Sequence, residues 1–214
     1  MVTHQMIHLS IFMEARKGMF VMNVKLSTAL AILCLATSVF GAKKNAEPTR
    51  WVQEPTTFLG IKLDEKLIYQ MKQCPADYTV PAEICYQRPF QGYYPLFAVP
   101  SLGLHGYTAG VLTHDSLIRE IVLNTKIDDY DAVVALLTQK YGRPQSQKTE
   151  MVKTKVGATF QNEKSYWEGK EVQIILRKYS DNIDTSSISV INKPVAVEAL
   201  RDEHGKVNEN ASKL

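Results

Sequence analysis

The sequence has few residues of the kinds that carry chemistry. Its 214 residues include 3 cysteines and 5 histidines, and 25 basic residues stand against 22 acidic ones. Three cysteines are too few for a disulfide-dense mini-protein. A net charge of +3 without a long block of like charge excludes a basic nucleic-acid surface. With 45% hydrophobic residues, the composition is that of a globular protein rather than a collagen-like or disordered chain.

Motifs of the common enzyme classes are missing as well. The sequence contains no G-x-x-x-x-G-K-[ST] phosphate loop, no G-x-S-x-G nucleophile turn and no H-E-x-x-H zinc helix. Gly103, Gly106 and Gly110 lack the spacing of a dinucleotide-binding turn, so we predict no cofactor. We also predict no catalytic residue and no metal site, which favours a non-catalytic protein. The alternative is a hydrolase whose site is assembled from residues distant in sequence.

The N-terminal part has the pattern of a secretory signal peptide. Lys25 carries a positive charge ahead of an uncharged stretch at 26–40, and Gly41 supplies the small residue of a cleavage site. We therefore predict a signal peptide over 22–41. Residues 1–21 are interpreted as a spurious N-terminal extension that begins at an upstream start codon.

This signal peptide predicts a periplasmic or secreted protein that has no membrane contact after cleavage. The uncharged stretch is shorter than the roughly 20 residues that span a bilayer. Lys43 and Lys44 follow it directly and resemble a stop-transfer flank. An uncleaved anchor that retains an envelope structural component is therefore the alternative.

Export also changes the interpretation of the cysteines. Cys34 leaves with the signal peptide, whereas Cys74 and Cys85 remain in a compartment where disulfides form. One bond between them would close a loop of about 12 residues and stabilise the fold by roughly 3 kcal/mol in the chain-entropy model. A redox or metal role is disfavoured, because the pair lacks the C-x-x-C spacing and has no histidine or third cysteine nearby.

The chain after the signal peptide divides into three regions. We predict a linker at 42–56, a single α+β domain at 57–192 and a flexible polar tail at 193–214. Within the domain, the hydrophobic patterns predict helices at 64–73 and 128–141. The predicted strands are short and lie at 57–63, 83–87, 94–99, 107–113, 117–123, 150–161 (bent at Gly157), 171–179 and 185–192. Strand, helix and three strands appear twice, which indicates a mostly antiparallel sheet with two helices, compatible with two β-α-β-β-β units.

The helix at 128–141 rests on the clearest periodicity. Its apolar residues recur on one face, namely Tyr130, Val133, Val134, Leu137 and Tyr141. Asp128 or Asp129 can cap its start, and Gly142 is typical of its end. The acidic cluster at this start lacks the spacing of a calcium loop, so capping is the better explanation.

Two histidines lie in the predicted domain. His105 and His114 flank a predicted strand, so they should reach its opposite ends and share no metal. The run His114-Asp115-Ser116 contains three catalytic residue types, but consecutive side chains point apart. We interpret this run as a polar hairpin turn.

An aromatic cluster is the best candidate for a binding surface. Aromatic residues and an arginine follow the second disulfide cysteine, at Tyr86, Arg88, Phe90, Tyr93 and Tyr94. On a loop tethered by a disulfide, such side chains offer a large contact area at a small entropic cost. Packing of this loop against the sheet is the alternative, because aromatic side chains are usually buried. Trp167 is a weaker candidate, and core packing is again its alternative.

Several short segments resemble small exported bacterial proteins of uncharacterised function. They are the opening FLGIKL at 58–63, Cys74-Pro75, Cys85-Tyr86 and the helix exit KYGRP at 140–144. The resemblance covers about 57–192 and implies an envelope or secreted context, without supplying a catalytic residue. We therefore expect an exported soluble protein that binds an envelope or extracellular protein or glycan, and no nucleic acid.

Overall fold

The computed structural model of the protein describes residues 51–76, 80–154 and 157–214. The predicted extension at 1–21, the predicted signal peptide and the first part of the predicted linker lie outside the described residues. In chain order the strands are β1 (Thr57–Phe58), β2 (Ile61–Lys62), β3 (Cys85–Tyr86), β4 (Tyr93–Phe97), β5 (Tyr107–His114), β6 (Leu117–Lys126), β7 (Ser146–Lys153), β8 (Thr159–Glu168), β9 (Val172–Arg177) and β10 (Thr185–Asn192). The helices are α1 (Leu67–Gln70), α2 (Tyr130–Tyr141) and α3 (Lys193–Ala211), and a 3₁₀ turn at Ile127–Asp129 precedes α2.

The fold is α+β and is built on one large antiparallel sheet, as the sequence predicts. Eight strands follow one another in the order β3-β4-β5-β6-β10-β9-β8-β7, while β1 and β2 form a separate hairpin. The large sheet consists of two four-stranded meanders that join through their last strands, β6 and β10. A helix precedes each meander, α1 before β3 and α2 before β7. The repeated pattern in the sequence thus corresponds to two units of one helix and four strands.

One face of the sheet carries the hydrophobic core. Alternate residues of the central strands are buried there, because successive side chains of a strand point to opposite faces. They include Ile121, Leu123, Ile174, Leu176, Ile188 and Val190. Helix α2 contributes Val133, Leu137 and Tyr141 to the same buried cluster, so the predicted helical face is confirmed as the core-facing one.

The predicted linker is already part of the folded structure from Trp51 onward. The Trp51 side chain is buried, and its Nε1 donates a hydrogen bond to the backbone oxygen of Tyr141 at 2.8 Å. The Glu54 carboxylate accepts hydrogen bonds from three consecutive backbone N–H groups, those of Lys170, Glu171 and Val172. These contacts attach the segment to the end of α2 and to the turn before β9.

The region predicted to be a flexible tail contains the 19-residue helix α3. Asn192 caps its start by accepting a hydrogen bond from the backbone N–H of Val195, and Val195 and Ala199 are its two buried residues. Further along α3, the Oδ2 atom of Asp202 lies 3.0 Å from His114 Nε2. A helix with so little buried surface has no clear hydrophobic period, which is why the polar sequence resembled a tail.

Three predicted elements have different boundaries. The strand predicted at 150–161 is a hairpin of β7 and β8, in which Lys153 pairs with Thr159 around a turn that contains Gly157 at a φ of 90°. The strand predicted at 57–63 is the hairpin of β1 and β2, since Leu59 and Gly60 both have positive φ. The helix predicted at 64–73 is reduced to the single turn of α1.

Candidate functional site

An apolar cavity of about 760 Å³ opens beside α2. Its walls come from the β1–β2 hairpin, the loop before β5, strands β6 and β10, and α2. Its apolar lining residues are Phe58, Leu59, Pro100, Leu102, Leu104, Leu123, Val133, Leu136, Leu137 and Ile188. This volume is within the range of about 300–1,000 Å³ that small-molecule sites occupy, and such sites are mostly apolar.

The polar lining of the cavity is concentrated at the C-terminal end of α2. Gln139, Lys140 and Tyr141 are consecutive residues there, and all three line the cavity. The Lys140 Nζ lies 5.5 Å from the centroid of the Tyr141 ring. None of the described lining residues is acidic. The site therefore combines a long apolar wall with one polar, positively charged end.

Tyr141 is the most unusual residue of this site. Its ring is held edge-on by Trp51 at a centroid distance of 6.1 Å and stacks on Phe58 at 6.4 Å. Only 4% of the residue is exposed, and its hydroxyl has no hydrogen-bond partner among the described residues. Burial raises the pKa of Tyr141 to about 12, so the hydroxyl is protonated at neutral pH. It is a buried donor without an acceptor, and such groups are rare in folded proteins.

The aromatic cluster predicted from the sequence is divided between different environments. Tyr86 and Tyr94 pack edge-to-face at 5.3 Å and lie against the core. Tyr93 belongs to the opposite face of β4, where its ring covers Gly110, so a Cβ added to Gly110 would overlap the Tyr93 hydroxyl oxygen. Phe90 is 71% exposed. The five residues, Arg88 among them, therefore do not form one surface, and their role in binding stays a prediction.

Phe90 and Arg88 are the exposed members of that cluster. Phe90 begins a tight turn, because its backbone exchanges two 2.9 Å hydrogen bonds with Tyr93. Arg88 is exposed on the same loop. The Cys74–Cys85 disulfide that was predicted to tether this loop is confirmed, with a Cα–Cα distance of 5.1 Å.

The two histidines each lie next to a carboxylate. His105 Nδ1 is 2.7 Å from Asp129 Oδ1, and the backbone N–H of His105 also donates to that carboxylate. Burial would raise the pKa of Asp129, but these contacts with His105 lower it below the usual value. Asp129 occupies the N-cap position of α2, but its side chain makes no capping hydrogen bond, because its carboxylate contacts His105 instead.

His114 takes part in a second cluster. One ring nitrogen of His114 and one carboxylate oxygen each of Asp115 and Asp202 lie within 4.8 Å of one another. The contact between His114 and Asp202 links the β5–β6 turn to α3. The pairing of His114 with Asp202 explains this cluster as a tertiary contact between the β5–β6 turn and α3.

The face of the sheet opposite the core carries a polar depression of about 480 Å³. Arg177, Lys164 and Glu150 contact polar neighbours within the depression. Arg177 donates to Ser189 Oγ at 3.0 Å, and Lys164 Nζ lies 2.6 Å from a Glu150 carboxylate oxygen. Because these polar groups already bind one another, they are less available to a ligand, and the apolar cavity is the better candidate for a binding site.

Sequence patterns identified the apolar face of α2, which contributes Val133, Leu137 and Tyr141 to the lining, but not the cavity. Trp167 is fully buried, which confirms its core alternative. Its Nε1 donates to the backbone oxygen of Gly142 at 2.8 Å, just beyond the end of α2. The KYGRP segment thus accepts two hydrogen bonds from tryptophan side chains, those of Trp51 and Trp167. The sequence signal for the polar end of the site was this helix exit, whose tyrosine and lysine resemble ordinary end-of-helix residues.

No family model, curated protein or solved structure matches the chain. Within the described residues, no helix is both long enough and apolar enough to cross a bilayer.

Proposed function

We propose that this chain is an exported, non-catalytic binding protein of the periplasm or envelope, and that the apolar cavity beside α2 is its ligand site. The Cys74–Cys85 disulfide supports the compartment, since such bonds form and persist outside the cytoplasm. The predicted signal peptide supports it independently. The cavity supports a binding role because its size and lining suit a small apolar molecule.

The cavity is the observation that carries this proposal. Apolar concavities of this size are few on a protein surface, and they are typical of ligand sites. Here an opening of about 760 Å³ reaches Leu123 and Val133, which are among the most deeply buried residues of the fold. An apolar molecule placed there would remove its own surface and that of the wall from water, which favours binding by about 25 cal/mol per Å² of apolar surface.

Blocking the cavity tests this function. Leu136 lines the cavity from α2 and is 39% exposed, so a larger side chain can be placed there without disturbing the core. Leu136→Trp should strongly weaken the binding of an environment-sensitive apolar fluorophore, measured by titration of the disulfide-bonded protein. Ala135→Trp is the matched control, because Ala135 is the exposed neighbour that does not line the cavity. Equal binding by both variants and the parent protein would reject the cavity as the site.

Material from an exporting host provides a second test. The purified protein should release an apolar molecule on extraction with organic solvent, detectable by mass spectrometry. The Leu136→Trp protein should release less of it, whereas Ala135→Trp should not differ from the parent. A protein that carries no extractable molecule and binds no apolar probe would contradict the proposal.

A second binding surface is favoured by the position of Phe90. An aromatic side chain that is 71% exposed on a tight turn is available to contact an envelope protein or glycan. Phe90→Ala and Arg88→Ala should then reduce capture of that partner from envelope extract. Tyr86→Ala is unsuitable for this test, because Tyr86 packs against the core. Unchanged capture by both variants would remove this candidate.

A further inference from the structure

We propose that the open edge of β7 pairs with β7 of a second copy of this chain, in an antiparallel dimer centred on Thr149. In this register Lys148 lies opposite Glu150 of the second copy, and Glu150 lies opposite Lys148 of the second copy. The pairing joins two eight-stranded sheets into one continuous sheet. It does not depend on the apolar cavity, because none of the described lining residues of the cavity belongs to β7.

The two edges of the large sheet differ in length. Strand β3 forms one edge with only 2 residues, whereas β7 forms the other edge with 8 residues. Within the described residues, β7 pairs with β8 on one side and with no strand on the other. Proteins protect an edge by keeping it short or by placing a proline or a bulge in it. Strand β7 has no proline and keeps an unbroken register with β8, so its edge is a template for another strand.

The turn between β7 and β8 decides which backbone groups of β7 face the open edge. The backbone N–H of Thr154 donates to the backbone oxygen of Ala158 at 2.8 Å, so these two residues form a hydrogen-bonded pair. Hydrogen-bonded and non-hydrogen-bonded pairs alternate along an antiparallel ladder. The even-numbered residues of β7 therefore bond to β8, and the odd-numbered residues direct their N–H and C=O groups outward. Gln147, Thr149 and Met151 are the outward-facing residues in the middle of the strand.

The charges of β7 select one register for pairing with itself. Outward-facing residues must pair with outward-facing residues, so even-numbered side chains lie opposite even-numbered ones. A dimer axis at Lys148 would oppose two lysines and an axis at Glu150 would oppose two glutamates, and both arrangements are destabilising. An axis at 147 or 151 leaves both charges opposite uncharged residues. An axis at Thr149 pairs lysine with glutamate twice, and opposite charges across two strands are stabilising.

Lys148 has no opposite charge across the ladder in its own chain. Its partner on β8 is Lys164, which carries the same charge. The ammonium of Lys164 already lies 2.6 Å from a carboxylate oxygen of Glu150. Lys148 forms no ion pair within the described part of the chain, and its ammonium lies 5.4 Å from the centroid of the Tyr166 ring. Glu150 of a second copy supplies the carboxylate that β8 does not offer.

Charge reversal tests this register. Lys148→Glu places glutamate opposite glutamate at both contacts of a homodimer, and Glu150→Lys places lysine opposite lysine. In sedimentation velocity over a range of concentrations, the disulfide-bonded parent protein should dimerise, and each variant alone should dimerise more weakly by about tenfold or more. An equimolar mixture of the two variants should restore dimerisation, because each contact then pairs a glutamate with a lysine. Mixing would not rescue a loss that misfolding had caused.

Two further variants separate the edge of β7 from other causes. Lys206→Glu makes the same change of charge at an exposed position of α3 and should leave dimerisation unchanged. Thr149→Pro removes an outward-facing N–H group that does not bond to β8, and proline is tolerated at such edge positions. Dimerisation should therefore be lost while the fold persists, as checked by circular dichroism and the melting temperature.

The proposal is overturned if the parent protein is monomeric at every concentration, or if the mixture is no more dimeric than its components. A Thr149→Pro protein that dimerises like the parent would also overturn it, because the dimer would then use another surface. Pairing of β7 with an extended segment of a different protein, by a parent protein that stays monomeric, would likewise reject the second copy. Binding of the apolar fluorophore tests the proposed function separately, since β7 lies outside the described cavity lining.

Discussion

The substitution Tyr141→Phe should stabilise the ligand-free protein. It removes the one hydroxyl group and keeps the ring, so the contacts with Trp51 and Phe58 remain. The hydroxyl is buried and has no partner within the described structure, so the folded state loses its hydration without compensation. Removing such a group should raise the free energy of unfolding by about 1–3 kcal/mol. For a protein of this size, the melting temperature should rise by about 2–4 °C per kcal/mol.

The assay is urea unfolding of the ligand-free protein with its disulfide intact, together with a thermal scan. Tyr107→Phe provides a matched control of the opposite sign, because the Tyr107 hydroxyl donates a hydrogen bond to the backbone oxygen of Pro100. Loss of that satisfied bond should lower the free energy of unfolding by about 0.5–1.5 kcal/mol. If Tyr141→Phe destabilises the protein as Tyr107→Phe does, the Tyr141 hydroxyl has a partner in solution and the reasoning about the site is refuted.

Three further predictions concern the disulfide, an acidic group and the buried tyrosines. Reducing Cys74–Cys85 should lower the free energy of unfolding by roughly 3 kcal/mol in denaturant titrations, and an unchanged midpoint would contradict the loop-entropy argument. Burial opposes ionisation of Glu54, but three backbone N–H groups lower its pKa below 4.5. The ionised carboxylate therefore makes its full contribution to the free energy of unfolding above pH 4.5, and this contribution is lost as the pH falls further. Glu54→Gln should therefore be less stable at neutral pH and flatter in its acid dependence, as measured by urea midpoints between pH 3 and 6; parallel profiles would contradict this assignment. Burial is the main cause that raises the pKa of Tyr130 and of Tyr141 from 10 to about 12. The contribution of these two groups to the free energy of unfolding should therefore be full below pH 10 and should decline as the pH rises towards 12. Tyrosinate absorbance should show these two groups ionising late, and a titration that is complete near pH 10 would rule this out.

Local patterns were sufficient for elements whose stability depends on near neighbours in the chain. The helix at 130–141 has a continuous apolar face and a glycine exit, and it forms where the period predicts. The disulfide was predicted from two cysteines behind a predicted signal peptide, and Cys74 and Cys85 are bonded. The large antiparallel sheet followed from short strands separated by turns.

Elements stabilised by distant contacts were missed. Helix α3 buries only Val195 and Ala199, and its further contacts are made with strands far away in sequence. Strand β7 is exposed at almost every position because it lies at the edge of the sheet, so it lacks the alternation that marks a half-buried strand. For the same reason the hairpin of β7 and β8 resembled a single bent strand.

The sequence by itself determined the fold class and the residues of the α2 face, because hydrophobic periods are local, and it predicts export by an equally local pattern. Only the tertiary structure decided that a cavity exists and what its polar end contains. The walls come from five separated segments, and Trp51 reaches Tyr141 across 90 residues. Whether a tyrosine hydroxyl has an acceptor depends on which backbone and side chains surround it after folding. A sequence lists the donor, but the absence of its partner is a property of three-dimensional packing.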